Sequence, residues 1–520
     1  MPPLAPGSPA ELAAFAALQA RLADHFDRFA IDTRLPNTVV VVPSLSLDAE
    51  ELAKVKGVHH YEERMLFMLM LLRRPRTRLV YVTSQQLDPH VVDYYLHLLS
   101  GIPAAHARRR LTLLYCADAS PTPLSAKLLA RPRLLRRLRE ALGDPRTAHL
   151  SCFNSSPLER SLAVALGIPL YANDPDLADL GSKSGCREVF REAGVVMPDG
   201  FERLRDEQDV ARALAVLKGR HPEAIRAVVK LNEGFSGEGN AIFRYEGPDG
   251  CVDGSSEEER TRQCQELMPT RLRFEAPMER YERFMAKYRQ MQGVVELFVE
   301  GEHKRSPSSQ NRVNAHGVAQ PISTHDQVLG GPSGQVFEGC TFPADPAYRL
   351  EIQEAGQRIA EALASRGVIG RFASDFVSVP DGDPAKGPVR WTHHAIEVNL
   401  RKGGTTHPFL TLRFLTDGEY DPATGDFLAQ NGTPKVYFAT DTICEERYKG
   451  LLPEDLIDAS VFHGLHFHGG TERGVVFHLM GALSEYGKLG LVCIGDNLQQ
   501  ARFLHRRTRQ VLDEECAAER

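Results

Sequence analysis

No two cysteines in this sequence are spaced as CxxC, and the nine cysteines make an odd count. That argues against a disulfide framework and a zinc ribbon, and a reducing cytoplasm is the simplest setting. No apolar run approaches the ~20 residues of a membrane-spanning helix, so a membrane is not expected as a partner. The opening stretch, MPPLAPGSPAELAAFAALQARLADHF, starts Pro/Gly-rich and continues as an Ala/Leu helix broken by charges. It lacks the basic start and unbroken apolar core of a signal peptide. Strong charge imbalance is missing too. A net charge of −6 over 520 residues gives no reason to expect nucleic acid as a partner. There is no GxGxxG after the first strand-like run, no GK[ST] Walker loop, no GxSxG elbow and no biotin-accepting segment. Dinucleotide binding, P-loop chemistry and serine-nucleophile chemistry therefore have no support.

What is present reads as an ordinary globular chain, 42% apolar and 25% charged, long enough for roughly three domains. Strand-like runs at Thr38–Pro43, Leu79–Thr83, Leu111–Tyr115 and His149–Phe153 alternate with helical spacing at Tyr61–Leu72, Pro89–Leu99 and Leu124–Leu142. Alternation of this kind predicts a mostly parallel sheet covered on both faces, so residues 1–175 are read as a Rossmann-like domain. The basic cluster RPRLLRRLRE at 131–140 has leucines at helical spacing, which makes it an amphipathic helix with a solvated basic face.

The chemistry-bearing residues come later. Lys183 stands just ahead of a helix that ends at Gly194. Lys230 closes a strand and is followed by a loop containing Gly234, Gly237 and Gly239, then a second strand. Glycines let backbone N–H groups approach phosphate oxygens closely. Residues 251–292 are polar and mostly helical, and GVVELFVEGEH at 293–303 returns to a strand carrying Glu296, Glu300 and Glu302. The segment 322–344, with four glycines, reads as a long loop of the kind that is usually functional. A helix Tyr348–Arg366 leads into two β-branched runs, Val368–Val379 and Val389–Leu400, flanking the turn DGDPAKGP. Strand alternation puts Glu397, Asn399 and Arg401 on one face, and Asp375 stands inside the other run. Two carboxylates and an amide oxygen make a hard ligand set suited to Mg²⁺ beside phosphates, and the guanidinium adds a fork for an anion.

The ordered set of Lys183, Lys230 with its glycine hairpin, the acidic strand and DFV…EVNLR resembles the ATP-grasp family. EVNLRKGGTTHPF and GVVFHLMGALSEYGKLGLVCIGDN, at 474–497, are most similar to the peptide ligases of the pheganomycin type. The resemblance implies a Rossmann-like pre-ATP-grasp domain (1–175), an ATP-grasp domain of two α+β halves (176–415) and a small C-terminal α/β domain (416–520). It further implies Lys183 and Lys230 on the α- and β-phosphates, with Gly234, Phe235, Ser236, Gly237 and Gly239 in a lid over the phosphates. Glu296, Leu297, Phe298 and Val299 would form an adenine hinge, with Glu302 on the ribose. Asp375, Glu397 and Asn399 would hold Mg²⁺, and Arg401, with Lys230, would act in catalysis. Some family members carry an arginine two residues before the Asp; here Ala373 is there and Arg371 lies four before.

The activity so implied is an ATP-dependent ligase that joins a carboxylate to an amine through an acyl phosphate, releasing ADP and phosphate. Its partners would be a small, amino acid-like carboxylate and an amine, amino acid or peptide acceptor; homo-oligomerisation is open. A non-catalytic ATP-binding module on the same fold is the alternative. His407 is read either as a base for the amine or as a structural hydrogen-bonding group. His463, His466 and His468 are read either as metal ligands or as part of a surface loop.

Overall fold

A computed structural model describes residues 4–32, 34–47, 49–234, 239–248, 250–276, 278–330 and 336–518. The N-terminal runs form a four-stranded parallel sheet ordered Leu111–Tyr115, Thr77–Thr83, Asn37–Val42, Ala148–Cys152. The valines of Asn37–Val42 are buried on both faces, as a parallel sheet covered by helices requires. The expected helix Leu124–Leu142 is two helices, Leu124–Leu129 and Pro132–Leu142, because Pro132 cannot continue a helix from the preceding turn. The second buries Leu134, Leu135, Leu138 and Leu142 and turns its arginines outward.

Two antiparallel sheets follow. The smaller is ordered Arg273–Phe274, Asn240–Arg244, Arg226–Leu231, Gly293–Leu297, Gly200–Leu204. The larger has eight strands, ordered Trp391–Asn399, Gly370–Pro380, Pro307–Val313, Ala319–Gly330, Val336–Phe342, Val436–Cys444, Lys488–Gly495, Gly474–His478. Segment 322–344, expected as a loop, is thus mostly two paired strands. Thr324, Val328, Phe337 and Thr341 supply β-forming side chains that the density of glycines obscured. GGTTHPF opens the helix Thr406–Thr416; Pro408 is tolerated in a first turn, whose N–H groups have no intrahelical partner.

The strand Val436–Cys444 carries 416–520 onto the large sheet rather than into a separate sheet. The same region packs against the N-terminal unit. Tyr81 and Tyr95 share one apolar core with Phe342, Tyr437 and Phe477. Tyr95 Oη donates to the Phe477 carbonyl (2.9 Å), and Phe477 N–H donates to Tyr94 Oη (3.1 Å). Among the described residues no helix is long and apolar enough to cross a membrane.

One glycine fixes how the site begins. Lys183 is the first residue of the helix Lys183–Glu192, capped by Ser182, whose hydroxyl accepts from Gly185 N–H (3.0 Å). A β-carbon on Gly185 would lie 2.0 Å from the Asp179 carbonyl oxygen, in the preceding 3₁₀ turn Pro175–Gly181. Gly185→Ala should therefore push the helix off its turn and lower unfolding free energy by ~2 kcal/mol or more. Urea unfolding checks this, and an unchanged midpoint would show that the turn yields freely.

Candidate active site

The site is built on the edge hairpin of the large sheet. Register pairs Asp375 directly with Glu397 and Ala373 with Asn399, with a bulge just beyond Asp375. Asn399 Nδ2 donates to Asp375 Oδ2 (2.9 Å), so the three expected metal ligands do come together. Val398, the alternate residue, is buried in the core beneath. The two carboxyls differ in character. Burial, and next the neighbouring Glu397 charge, push Asp375 up to about 6. Burial also raises Glu397, but the Lys183 ammonium, ion-paired with it and helped by Arg401 and Lys230, holds it below the ordinary carboxylate value.

Paired carboxylates that resist joint ionisation are a donor set wanting a cation. The set is all oxygen, which fits Mg²⁺ rather than a thiolate- or imidazole-seeking ion.

Four cations surround this edge: Lys183, Lys230, Arg187 and Arg401. Lys183 is tied to the glycine-loop strand through its own N–H, which donates to the Asn232 carbonyl (3.1 Å). Asn232 Oδ1 accepts from Ser184 N–H (3.0 Å) and Ser184 Oγ (2.6 Å). Lys230 Nζ donates to Glu296 Oε2 (2.5 Å), and Arg187 Nη1 donates to Glu296 Oε1 (2.7 Å). Arg401 follows Asn399 in a tight turn, its N–H donating to the Asn399 carbonyl (2.7 Å). Burial lowers its pKa despite the nearby Glu397 charge.

The acidic strand departs from the sequence reading at one position. Glu296 is buried, and its backbone pairs with Gly200 on one side and Val228 on the other. Its carboxylate is the shared counter-charge of Lys230 and Arg187, so this residue braces cations instead of offering groups to a base. Leu297 and Phe298 spend their N–H groups on the Asp199 and Arg226 carbonyls (2.9 and 3.3 Å). The Val299 carbonyl accepts from Lys304 Nζ (3.0 Å), and Arg226 lies 3.7 Å from the Phe298 ring centroid. Glu302 is exposed in a turn. Gly234 and Gly239 pinch the loop mouth, where a β-carbon on Gly234 would meet Gly239 Cα at 3.1 Å. Phe235, Ser236 and Gly237 lie outside the described residues.

Other candidates fall out differently. His407 Nε2 lies 3.1 Å from His478 Nε2, and burial drives its pKa well below the ordinary histidine value, so it is a packed hydrogen-bonding partner. His463 faces Glu515 and Arg507, and His466 packs on His97 and Tyr94, so the three C-terminal histidines do not converge on a metal. Arg371 sits opposite Arg312 in the ladder, and burial lowers it to about 10. Sequence reasoning missed Arg187 and Asn232. Arg187 is four residues past Lys183 on one helix face, and Asn232 two past Lys230, so spacing held a usable signal.

Known proteins place this geometry. Residues 455–508 match the model of the PGM1 C-terminal domain, and residues 175–263 match the IQCH-like ATP-grasp model. The chain is 31% identical over 474 residues to the L-propargylglycine–L-glutamate ligase of Streptantibioticus cattleyicolor, covering 89% of this chain and 92% of that one. It is 24% identical to the zebrafish (Danio rerio) IQ motif-containing protein H, spanning 94% of this chain but 49% of that longer protein. Among solved structures, biotin carboxylase of Campylobacter jejuni superposes with a TM-score of 0.51 at 11% identity, over 90% of each chain. Pyruvate carboxylase of Rhizobium etli gives 0.51 at 14% identity, over 91% of this chain and 37% of that one. The Rossmann-like unit, the two antiparallel sheets and the extent of the match to an amide-forming ligase lead to one assignment: the chain belongs to the ATP-grasp carboxylate–amine ligases, among the pheganomycin-type peptide ligases.

Proposed function

We propose that the ligase joins the carboxylate of one amino acid to the amino group of another amino acid or short peptide through an acyl phosphate. The observation that carries this reading is the convergence of Asp375, Glu397 and Asn399 on one hairpin, with Arg401 two residues past Asn399. The relative's two substrates are both amino acids, which supports the substrate class.

In this reading the substrate carboxylate attacks the γ-phosphorus of ATP, the bond from that phosphorus to the β–γ bridging oxygen breaks, and ADP leaves. The amine then attacks the acyl carbon and phosphate departs. The first step crowds anions together, so its barrier is set by how well charge is neutralised. Lys183 and Lys230 would face the phosphates, each ion-paired with a carboxylate, Glu397 and Glu296 respectively. Asp375, Glu397 and Asn399 would hold Mg²⁺, which when bound supplies Lewis-acid neutralisation of phosphate oxygens. Arg401 would orient the acyl phosphate. Gly234 and Gly239 would set the mouth of the lid, while Leu297 to Val299 and Glu302 would receive the nucleoside.

Two outcomes test this. Glu397→Gln keeps an acceptor for Lys183 but removes the charge, so kcat should fall ~100-fold or more in a variant that still folds, its melting temperature lowered by the loss of the counter-charge. ADP release under saturating ATP and Mg²⁺ measures it, and wild-type turnover would remove Glu397 from the metal site. For the reaction, hydroxylamine in place of the acceptor should trap a hydroxamate with one ADP per product. AMP as the nucleotide product would overturn the acyl-phosphate route, and ATP binding without turnover across an acid and amine panel would favour a non-catalytic module.

A further inference from the structure

Beyond Arg401, away from the carboxylate pair, a second guanidinium is held in place without enough partners. Arg64 lies on the 3₁₀ helix Val58–Arg73, which follows the central strand Asn37–Val42. Its side chain is only 10% exposed. The guanidinium carbon lies 4.5 Å from the Tyr61 ring centroid and 4.8 Å from that of Phe153. Tyr61 is itself fixed by Lys488, whose ammonium bonds its hydroxyl. Among the described residues Arg64 makes a single hydrogen bond, from Nη1 to Asp441 Oδ2 (3.1 Å), and its buried Nε has no partner. A guanidinium offers five donors, and leaving them unmade in a buried place is costly.

The surroundings point to what would complete it. Phe153 immediately follows the strand Ala148–Cys152, which pairs with Asn37–Val42 on the side opposite Thr77–Thr83. Arg64, in the connection leaving Asn37–Val42, and Phe153, just past Ala148–Cys152, thus belong to the two strands between which the sheet order reverses, and open α/β sheets bind ligands in the crevice at that place. The crevice is closed on the catalytic side by the loop after Asn399. Lys402 N–H donates to the Phe153 carbonyl (3.2 Å), and Arg401 lies 6.0 Å from the same ring that Arg64 stacks on. The remaining neighbours bring no second anion to Arg64. His407 and His478 are both held below the ordinary histidine value by burial, so they are neutral, and Asp441 is the only carboxylate bonded to it among the described residues.

We propose that Arg64, pinned between Tyr61 and Phe153 and anchored on Asp441, receives the free carboxylate of the amino-acid acceptor. This rests on the ligase reading above and adds the acceptor's binding site to it. The acceptor's carboxylate does not react, so a fixed guanidinium can hold it through both steps while the amino group faces the acyl group beside Arg401. Asp441 is positioned to accept from the acceptor's ammonium before it gives up its proton. The site would select α-amino acids over simple amines, because an amine without a carboxylate leaves Arg64 short of partners.

The test compares two acceptors that differ only in this charge. A pairwise screen of the twenty amino acids and L-propargylglycine identifies the productive acceptor, which is then assayed beside its α-carboxamide. Wild-type enzyme should prefer the acid over the amide ~100-fold in kcat/KM, through KM. Arg64→Met should bring that ratio close to one, and pairing it with Asp441→Asn avoids leaving a lone buried carboxylate. Should those variants fail to fold, Arg64→Lys carries the test, with the ratio falling ~10-fold because the charge stays and the planar fork is lost. A ratio unchanged by these substitutions would overturn the assignment while leaving the ligase reading intact. A wild-type enzyme that makes no hydroxamate with any acid would overturn the ligase reading instead.

Discussion

The structure depends on a row of opposite charges between the small and large sheets: half-buried Glu397 with Lys183, and buried Glu296 between Lys230 and Arg187. Isolated, any of these groups would be costly to take out of water by several kcal/mol, and only paired and hydrogen-bonded are they tolerable. The local architecture serves that pairing. A serine-capped helix start fixes Lys183, Asn232 joins that start to the strand of Lys230, and the central strand Gly293–Leu297 carries Glu296 between both. Buried ion pairs add little stability, so their value here lies elsewhere. They hold the cations aimed at a place that, on the proposed reading, receives polyphosphate.

The hairpin was the most legible part of the sequence, for a physical reason. Strand alternation has a period of two, so once Val398 is assigned to the core, Glu397 and Asn399 must face the other way, and a turn as marked as DGDPAKGP fixes the pairing with Asp375. Glu296 was expected to serve an adenine hinge through its backbone, and the run GVVELFVEGEH allows that as readily as a buried partner for lysine. Only the ladder on both of its sides separates the two. Glycine density misled at 322–344: a glycine marks a turn when φ is positive, yet Gly339 lies in the strand, where a β-carbon would be 2.4 Å from the Ala439 carbonyl. There glycine answers the close approach of the neighbouring strand Val436–Cys444, which had itself gone unrecognised.

Arg64 was illegible for a different reason. Its partner Asp441 lies 377 residues away, and the residues around it, YEERML, show only helical spacing. Helical periodicity tells which face is apolar; it is silent on whether the polar face meets water or a distant strand. The burial of Arg64 arises only when the C-terminal strands pack on the helices of the parallel sheet, a contact made by Tyr94, Tyr95 and Phe477.

That packing explains why a ligase of this build would carry its last hundred residues on the same sheet as its catalytic hairpin. The strand bearing Asp441 and the strand bearing Asp375 are hydrogen-bonded into one eight-stranded ladder, with three strands between them. A ladder resists in-plane shear, so the acid at one end and the acid toward the other keep a fixed separation. The N-terminal unit then closes the space over that sheet from the other side, supplying Arg64 and Phe153. A two-substrate reaction with a reactive intermediate needs both reactants fixed in one frame, since an acyl phosphate that waits for a loosely held amine is lost to water. Continuity of the sheet supplies that frame. It also accounts for the apolar core shared by the N-terminal helices and the C-terminal strands, which would be surplus if the tail were an appendage.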